Sequence, residues 1–413
     1  MNENHPNGGF DCVILGGGIH GTHLAGRLIE DAGVDRHAVA VVDPNDRLLS
    51  SFRRKANAIG MDALRSTYVQ HVGTEPFSLE SFAEATGRED ELRPTVDYPD
   101  RPSLDLFLDH ADRFIDSNGL DSLHRQARVE RIERGTNGEL QLETSTGRMD
   151  TAACVLAIGH GGRNRVPDWA RGVDGIDHVW GDFDPEADAT RTIVVGGGIT
   201  AVQLACVLSE RESVTMVSRH PLEWEVSEAD PPWLNWNHIE RELHQYPRAS
   251  KARLDAVRDA GHSATVPPYL YEPLDAQIGD GRLRLLEGDI ETATTTEGGV
   301  ALRLQDGEVL KGDRVVCATG FEPAFQQPFT DRLAADLDLA RGYRGLPMLI
   351  DETLAWETTD GAALPLYVSG ALALGVVGPY APNIPGAKRA ADRITRAVEA
   401  RRVEPTNTPV RAE

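Results

Sequence analysis

Two glycine-rich turns of the same pattern, 180 residues apart, constrain the fold of this 413-residue chain more than any other feature. The first reads GGGIHG from Gly16, directly after the apolar run 10–15 and before a helical stretch that reaches Gly33. Strand, glycine turn and helix in this order form a dinucleotide-binding fingerprint, because the helix N-terminus stabilises a pyrophosphate. Gly16 permits the tight turn, Gly18 lets the backbone approach the pyrophosphate, and Gly21 keeps the helix close to the sheet.

The next apolar strand, 38–42, ends in an acid. Asp43 lies 27 residues after Gly16, at a position where a carboxylate accepts hydrogen bonds from a ribose diol. A glycine-rich loop that merely turns the chain is the alternative interpretation. Because strand, helix and terminal acid all fall in place, we favour a nucleotide site.

The second turn, GGGITA, starts at Gly196 after the strand 192–195 and precedes a helix that reaches about Glu210. Gly198 is here the residue at which the backbone approaches a pyrophosphate, and Ala201 replaces the third glycine, an accepted variant. The chain is therefore predicted to carry a second dinucleotide unit.

The strand after the second turn ends in Ser218 and Arg219 instead of an acid. An acid would repel the 2′-phosphate of NADP, whereas a hydroxyl and a guanidinium bind it together. We therefore predict that this unit prefers NADPH. The alternative is that Arg219 is a solvated charge at the end of a strand.

A chain with one such unit at its N-terminus and another in its middle resembles the two-dinucleotide-binding flavoproteins, in which the first unit holds FAD. The strand 153–158 ends at Gly159, where such chains leave the FAD sheet. The strand 313–321, with Thr319 and Gly320 at its exit, is predicted to mark the return.

The end of the chain is predicted to complete the FAD domain with a strand at 366–369 and a helix from about Pro385 to Ala400. Proline suits the first turn of a helix, and the helix N-terminus stabilises the negative charge of a reduced flavin. The loop 377–384 either lines the pyrimidine end of the flavin or is a surface turn.

Longer motifs add a more specific resemblance. The segment DRVVCATGF at 313–321 matches an Asp-x3-hydrophobic-Ala-Thr-Gly-aromatic element, and the segments 64–69 and 75–78 match a stretch that passes the flavin and ends in Pro-Phe-Ser. His178 precedes Trp180 as in related proteins. The sequence is thereby similar to the flavin-dependent N-hydroxylating monooxygenases, the lysine and ornithine hydroxylases of siderophore assembly.

This resemblance implies an α/β fold with two Rossmann-like domains, the NADP-binding domain being inserted into a discontinuous FAD-binding domain. We expect the FAD domain at 1–168 and 313–413, and the NADP domain at 169–312 with a helical insertion at about 221–278. The resemblance further implies that NADPH reduces FAD and that a C4a-peroxyflavin, formed with O₂, hydroxylates a small amine or other soft nucleophile. No side chain is nominated as a catalytic base, because a peroxyflavin transfers oxygen without one.

The substrate is left open by the sequence, since the Gln and Lys of the amino-acid hydroxylases are missing. Arg65 either takes over binding of a carboxylate, holds the flavin phosphate or pairs with an acid. Trp236 and Asn237 are further candidates if the insertion, with helices predicted at 238–246 and 250–260, forms a lid or substrate wall. The alternative is that its aromatic side chains only pack two helices onto the second sheet.

A net charge of −23, from 42 basic and 65 acidic residues, argues against binding of nucleic acid or anionic membranes. Only four of the basic residues are lysine, a bias that resembles proteins of halophilic archaea, although an acidic protein from a GC-rich genome also prefers arginine. No apolar run is long enough for a membrane span, and the polar N-terminus does not have the pattern of a signal peptide, so we expect a cytoplasmic protein.

The four cysteines are far apart without a CxxC pair, and the 13 histidines lack ligand spacing, so we predict no metal site. The leading hypothesis is a FAD- and NADPH-dependent monooxygenase that uses O₂ and a small-molecule substrate. One alternative is a FAD-containing NAD(P)H oxidoreductase that passes electrons to a quinone or protein acceptor. Another is a catalytically inactive nucleotide-binding regulator.

Overall fold

The computed structural model describes residues 9–136 and 138–403. Residues 1–8, on which the expectation about a signal peptide rests, lie outside the described part. Within that part, no helix combines the length and the apolar composition that crossing a bilayer requires.

Strands and helices alternate along most of the chain, as in α/β proteins. The strands are β1 Cys12–Leu15, β2 Val39–Asp43, β3 Leu92–Thr95, β4 Tyr98–Pro102, β5 His124–Gln126, β6 Val129–Arg134, β7 Leu140–Thr144, β8 Gly147–Thr151, β9 Cys154–Leu156, β10 Ile176–His178, β11 Arg191–Val195, β12 Ser213–Ser218, β13 Leu283–Glu287, β14 Ile290–Thr296, β15 Gly299–Leu304, β16 Val309–Gly312, β17 Arg314–Cys317, β18 Ala355–Glu357 and β19 Ala363–Val368. The helices are α1 Ile19–Glu30, α2 Ser50–Ala58, α3 Ser78–Thr86, α4 Leu104–Asn118, α5 Ile199–Ser209, α6 Trp236–Glu242, α7 Lys251–Ala260, α8 Tyr271–Gly279, α9 Pro328–Asp336, α10 Leu374–Val377 and α11 Ile384–Val403.

The first sheet has the strand order β18-β19-β9-β1-β2-β5, and all its strands except β18 run parallel. Strands β1, β2 and β9 are buried along their whole length, as expected for short apolar strands covered on both faces. Helices α1 and α11 pack side by side on this sheet. The carboxyl ends of the parallel strands therefore meet at one edge, where such sheets bind ligands.

The second sheet has the order β10-β17-β11-β12-β13 and is entirely parallel. Alternate side chains of its strands face two different layers. Val194 and Met216 pack with helix α5, whereas Ile193 and Val217 pack against the antiparallel sheet β14-β15-β16. This sheet is the predicted second dinucleotide unit, so the α/β fold class with two Rossmann-like units is confirmed.

The strand predicted at 313–321 to mark the return to the first sheet is placed differently. Strand β17 pairs with β10 on one side and β11 on the other, and thus belongs to the second sheet. A doubly wound sheet needs a strand on the far side of its first strand, and β17 supplies it. The chain returns to the first sheet only after this strand, so the assignment of 313–321 to the FAD domain is corrected, while the other domain boundaries stay predictions.

The two connections between the sheets run side by side. Arg165 N donates to Gly320 O at 2.9 Å, and Glu322 N donates to Arg163 O at 3.0 Å. The Thr319 hydroxyl also donates to Arg165 O. The outgoing and returning chains are therefore joined to each other by hydrogen bonds where they cross between the sheets.

The helical insertion does not pack onto the second sheet alone, as one interpretation of the sequence proposed. Helix α8, which the sequence did not indicate, contacts α5 and β13 of the second unit. Helices α6 and α7 pack instead against the C-terminal part of the chain, where Trp233, Ile239 and Val257 surround the buried Tyr380. The Tyr380 hydroxyl donates to Ala229 O, and Arg389 donates to Leu234 O through Nε and Nη2.

A buried ion pair fixes α7 in this position. Arg253 is fully buried, and its Nη1 and Nη2 donate to the two carboxylate oxygens of Asp351 at 2.6 and 2.7 Å. The guanidinium also donates to the carbonyls of Tyr246 and Gly375, both at 3.0 Å. A buried guanidinium that has lost its carboxylate costs several kcal/mol, so this pair is expected to control docking of the insertion.

Replacing Asp351 with Asn should therefore lower the free energy of unfolding by about 3 kcal/mol, because the Arg253 charge stays buried without its counter-ion. Equilibrium urea unfolding of the FAD-loaded protein measures the effect. Asp255→Asn is the matched control: Asp255 pairs with the exposed Lys251 on the same helix, and such surface pairs contribute at most about 1 kcal/mol. Equal effects of the two substitutions would contradict the assigned role of the buried pair.

Candidate dinucleotide-binding sites

The first glycine turn closes because two of its positions, Gly16 and Gly21, have no side chain. Gly16 has φ +107°, and a Cβ there would lie 2.4 Å from Ala157 O. A Cβ on Gly21 would lie 1.8 Å from Gly16 O, so only glycine lets α1 pack this close to the turn. The sequence assigned these roles to Gly16 and Gly21, and the geometry agrees.

Gly18 differs from its two neighbours in the motif, since a Cβ on it would meet no protein atom within 4 Å. It is the N-cap of α1, and no side chain caps the first backbone N–H groups of the helix. Unpaired amides at a helix N-terminus bind anions. Gly18, at which we predicted the approach of a pyrophosphate, therefore borders the open space that such a group needs.

Asp43 ends β2 beside this turn and is buried. Its Oδ2 accepts a hydrogen bond from Gly17 N at 2.6 Å, and its Oδ1 accepts from Asn45 N at 2.8 Å. The carboxylate thus braces the glycine turn at the position where the sequence predicted contact with a ribose.

Two residues that the sequence did not single out, His20 and Ser369, lie at the far end of the first site. His20, in the first turn of α1, shares a hydrogen bond of 2.8 Å with Ser369 Oγ at the end of β19. Burial lowers the pKa of His20 to about 4, so the imidazole is neutral at physiological pH. The position of His20 within the glycine motif was the only available signal. Gly159, also at this edge, has φ +58° with open space around it.

Three buried histidines lie on α1, before α3 and on α4: His23, His71 and His110. In each of His23, His71 and His110, one ring nitrogen has a hydrogen-bond partner and the other has none within the described residues. Burial is the main cause that lowers their pKa values, to about 3, 3 and 4. Lys388 of α11 donates to Val69 O at 2.8 Å, and burial lowers its pKa to about 8. The three imidazoles are therefore neutral at physiological pH, whereas Lys388 still carries its positive charge there.

The second glycine turn repeats the geometry of the first. Gly196 has φ +151°, and a Cβ there would lie 2.6 Å from Ala318 O. Ala201 is buried in the layer between α5 and the sheet, as expected for the third position of the motif. At Gly198, however, a Cβ would lie 3.4 Å from Ala264 Cα. Protein atoms therefore occupy, beside Gly198, the space that is empty beside Gly18.

Ser218 and Arg219 follow the second turn at the end of β12. Ser218 is buried, and its hydroxyl donates to His220 O at 2.6 Å. Arg219 is exposed and has no hydrogen-bond or salt-bridge partner in the described part of the chain. Beside them lies a cavity of about 420 Å³ bordered by Ser218, Trp224 and Glu287. An unpaired guanidinium at this edge is compatible with binding a 2′-phosphate.

Thr319 and Gly320 lie in the paired connections between the sheets. The Thr319 hydroxyl donates its hydrogen bond to Arg165 O, whereas Gly320 has φ +78° and open space around its Cβ position. The next residue, Phe321, stacks on His160 with the ring centroids 4.4 Å apart, and the Lys55 ammonium lies 4.7 Å from its centroid. These aromatic contacts mark the junction of the carboxyl edges of both sheets.

The three substrate candidates from the sequence are not brought together. Arg65 donates to the carbonyls of Glu225, Val226 and Ser227 and is therefore a tether of the insertion. The Arg393 guanidinium stacks on the ring of Trp236, whose Nε1 donates to Glu240. Asn237 is exposed on α6. None of the three borders either of the two cavities of the described structure, and their roles as substrate contacts stay predictions.

A second cavity, of about 290 Å³, lies between the insertion and the segment before α11. It is bordered by Glu228, Leu254, Val257, Arg258, Gly261, His262, Ser263, Leu374 and Pro379. Pro379 belongs to the loop 377–384, which thus has an inward-facing part. Among the described residues, no group of three or more His, Cys, Asp or Glu side chains is arranged to hold a metal ion.

Comparisons with known proteins agree with this geometry. A sequence profile described as FAD-NAD(P)-binding matches residues 13–161. No curated protein matches the chain at the sequence level.

Solved structures show the fold more fully. An ornithine hydroxylase from Pseudomonas aeruginosa superposes with a TM-score of 0.75 at 19% identity, covering 95% of this chain and 99% of that chain. An L-lysine 6-monooxygenase from Pseudomonas syringae superposes with a TM-score of 0.73 at 20% identity, covering 96% of this chain and 100% of that chain. A FAD-bound cadaverine monooxygenase from Erwinia amylovora superposes with a TM-score of 0.73 at 16% identity, covering 98% of this chain and 100% of that chain. The chain therefore has the fold of the N-hydroxylating flavoprotein monooxygenases, as the sequence resemblance predicted.

Adding a methyl group at Gly18 should separate cofactor binding from folding. Gly18→Ala meets no protein atom and keeps an allowed φ of −75°, so the thermal midpoint of the apoprotein should not change. The methyl group would occupy the approach of the pyrophosphate and should weaken FAD binding at least about tenfold. Titration of the apoprotein with FAD, followed by flavin fluorescence, measures the change.

Gly279→Ala is the matched control, because this glycine ends α8 and its Cβ position is also empty. It should leave FAD affinity unchanged. FAD binding that survives Gly18→Ala intact would show that the first glycine turn is not the pyrophosphate site.

Proposed function

We propose that this chain, which has the fold of the N-hydroxylating flavoprotein monooxygenases, is a FAD- and NADPH-dependent monooxygenase. Its substrate would be a small amine, and O₂ would be the second substrate. FAD, when bound, supplies electron transfer from NADPH and activation of oxygen. The chain's own residues bind both nucleotides, orient them toward each other and enclose the amine.

The observation that carries the proposal is the arrangement of the two glycine turns. Each binds its pyrophosphate at the first strand of a parallel sheet, so one end of each dinucleotide extends along the carboxyl edge of that sheet. In the first sheet this direction leads to Gly159 and Ser369, and in the second to Gly320. The paired connections join these two edges. The redox-active rings would therefore meet there.

The second cavity is our candidate for the amine. One of its walls is the segment between β19 and α11, which leads away from the flavin edge, and the opposite wall is the insertion. The Glu228 carboxylate accepts no hydrogen bond from any side chain or backbone group in the described residues, so it is free to pair with an ammonium group. The apolar Leu254, Val257 and Leu374 would hold an alkyl chain.

Cysteine chemistry offers no competing function. All four cysteines are unpaired, and three of them are buried. Burial raises the pKa of Cys12 and Cys317 to about 12 and that of the partly exposed Cys206 to about 11, so none of the three is a thiolate at neutral pH. Disulfide exchange requires an accessible thiolate. A disulfide is therefore not the expected electron acceptor.

The FAD-loaded protein should oxidise NADPH faster in the presence of an aliphatic diamine, with formation of one hydroxylamine per NADPH. Glu228→Gln should raise the KM for the diamine about tenfold or more, because an ion-paired hydrogen bond contributes about 1.5–3 kcal/mol. The rate of flavin reduction by NADPH without amine should not change. Glu225→Gln is the control, since this neighbouring carboxylate is exposed and borders neither cavity.

Two results would contradict the proposal. Amine-independent NADPH oxidation that transfers electrons only to a quinone would identify a reductase. FAD whose absorbance does not bleach on anaerobic addition of NADPH would identify a nucleotide-binding protein without turnover.

NADPH preference should depend on Arg219. Its replacement by Ala should raise the KM for NADPH about tenfold or more and leave the KM for NADH nearly unchanged, because only NADPH carries the 2′-phosphate. Arg282→Ala serves as the control, since Arg282 is an exposed arginine that pairs with Asp280. Steady-state kinetics with both nucleotides distinguish the outcomes, and equal losses for NADPH and NADH would refute the assignment.

A further inference from the structure

One short segment of the insertion, residues 261–266, lies across the second glycine turn. We call this segment the strap. Its Ala264 is the residue closest to Gly198: Cα, C and O of Ala264 would all lie 3.4–3.6 Å from a Cβ on that glycine. A single methyl group would thus fill the gap between turn and strap. A phosphate group is larger than a methyl group.

The two glycine turns therefore differ in the space beside the glycine that a pyrophosphate approaches. The second glycine of a dinucleotide motif is free of a side chain so that a pyrophosphate can approach it. Gly18 has this free space, whereas the corresponding space at Gly198 is taken by the strap. A nucleotide that binds the second turn in the usual way must displace the strap.

The strap is held by a neighbouring segment of the same insertion. His262 N donates to Glu228 O, and Val266 N donates to Glu223 O, both at 2.8 Å. Glu225 N donates back to Val266 O at 3.0 Å. The strap and residues 223–228 thus form a short irregular ladder, joined by these three backbone hydrogen bonds.

Arg65 fastens this ladder to the FAD-binding part of the chain. Its Nε donates to Val226 O at 2.9 Å, and its Nη2 lies 2.7–3.0 Å from Glu225 O, Ser227 O and Thr265 Oγ1. One guanidinium therefore contacts both strands of the ladder, and Thr265 is the residue next to Ala264. A planar guanidinium with several donors suits such a multiple contact.

The closed position also carries backbone strain. Ala264 has φ +59°, in the left-handed region. This conformation costs roughly 1–2 kcal/mol for a residue with a Cβ. The hydrogen bonds from Arg65 and within the ladder therefore stabilise the strap in a conformation that the backbone of Ala264 alone disfavours.

We propose that the strap is a gate over the second glycine turn and that Arg65 is the positioning residue that keeps it closed. Only the identity of the nucleotide rests on the proposed function. The gate opens before NADP(H) enters, so the opening rate limits nucleotide binding at high concentration. Because His262 and Ser263 of the strap also border the cavity assigned to the amine, its position affects both ligands.

Stopped-flow mixing of the FAD-loaded protein with NADP⁺ tests the gate through tryptophan fluorescence, since Trp224 is bridged to Val266 of the strap. The observed rate should reach a plateau as the NADP⁺ concentration rises, because opening then limits binding. Arg65→Met should raise this plateau about tenfold, as expected when several hydrogen bonds to the ladder are lost. Arg65→Lys keeps the charge and some donors, so its plateau rate should lie between those of the unchanged protein and Arg65→Met.

Two further variants keep the test independent of misfolding. Ala264→Gly removes the strain of the closed strap and should lower the plateau, the direction opposite to that of Arg65→Met. Arg93→Met is the control, because Arg93 pairs with the exposed Asp62 and does not contact the ladder. Hydrogen exchange should be faster at the amides of His262 and Val266 in Arg65→Met and unchanged in Arg93→Met.

The outcomes separate the gate from the proposed function. Binding of NADP⁺ without a plateau, or a plateau that Arg65→Met leaves unchanged, overturns the gate while the monooxygenase proposal stands. A plateau that responds as expected in a protein that hydroxylates no amine supports the gate and contradicts the monooxygenase. If the FAD-loaded protein binds no nicotinamide nucleotide, both proposals fail.

Discussion

The whole arrangement depends on one geometric constraint: two parallel sheets must present their carboxyl edges to the same space. Parallel strands bind dinucleotides only at that edge, so a small rotation between the sheets would separate the two ring ends. The paired connections at 163–165 and 319–322 fix the sheets at one side of the space. The insertion, anchored through Arg253 and Asp351, fixes them at the other.

Arginine carries much of this anchoring. Arg65, Arg253 and Arg389 each donate hydrogen bonds to backbone carbonyls of segments distant in sequence. A guanidinium contacts several carbonyls at once because its donors lie in one plane, whereas a lysine ammonium is a single charged point. The scarcity of lysine in the composition therefore has a structural counterpart, whatever selected for it.

The sequence predicted the parts of the fold that local chemistry decides. The glycine turns, the acid at the end of β2 and the final helix follow from steric and dipole requirements within about 30 residues. The placement of β17 was wrong because the segment 313–321 reads equally well as a strand of either sheet. Pairing across the sheet decides between them, and one sequence does not contain that information.

The roles of Arg65 and Glu228 show the same limit within the site. Arg65 is a cation in a segment that resembles a flavin-contacting stretch, and its carbonyl partners lie about 160 residues away. Glu228 has no motif around it and gains meaning only from the cavity that it borders. Docking of the insertion on the flavin side also restricts how the sequence can change. Loss of either charge of the Arg253–Asp351 pair leaves the other one near the protein interior without its partner, so we expect the two positions to change together.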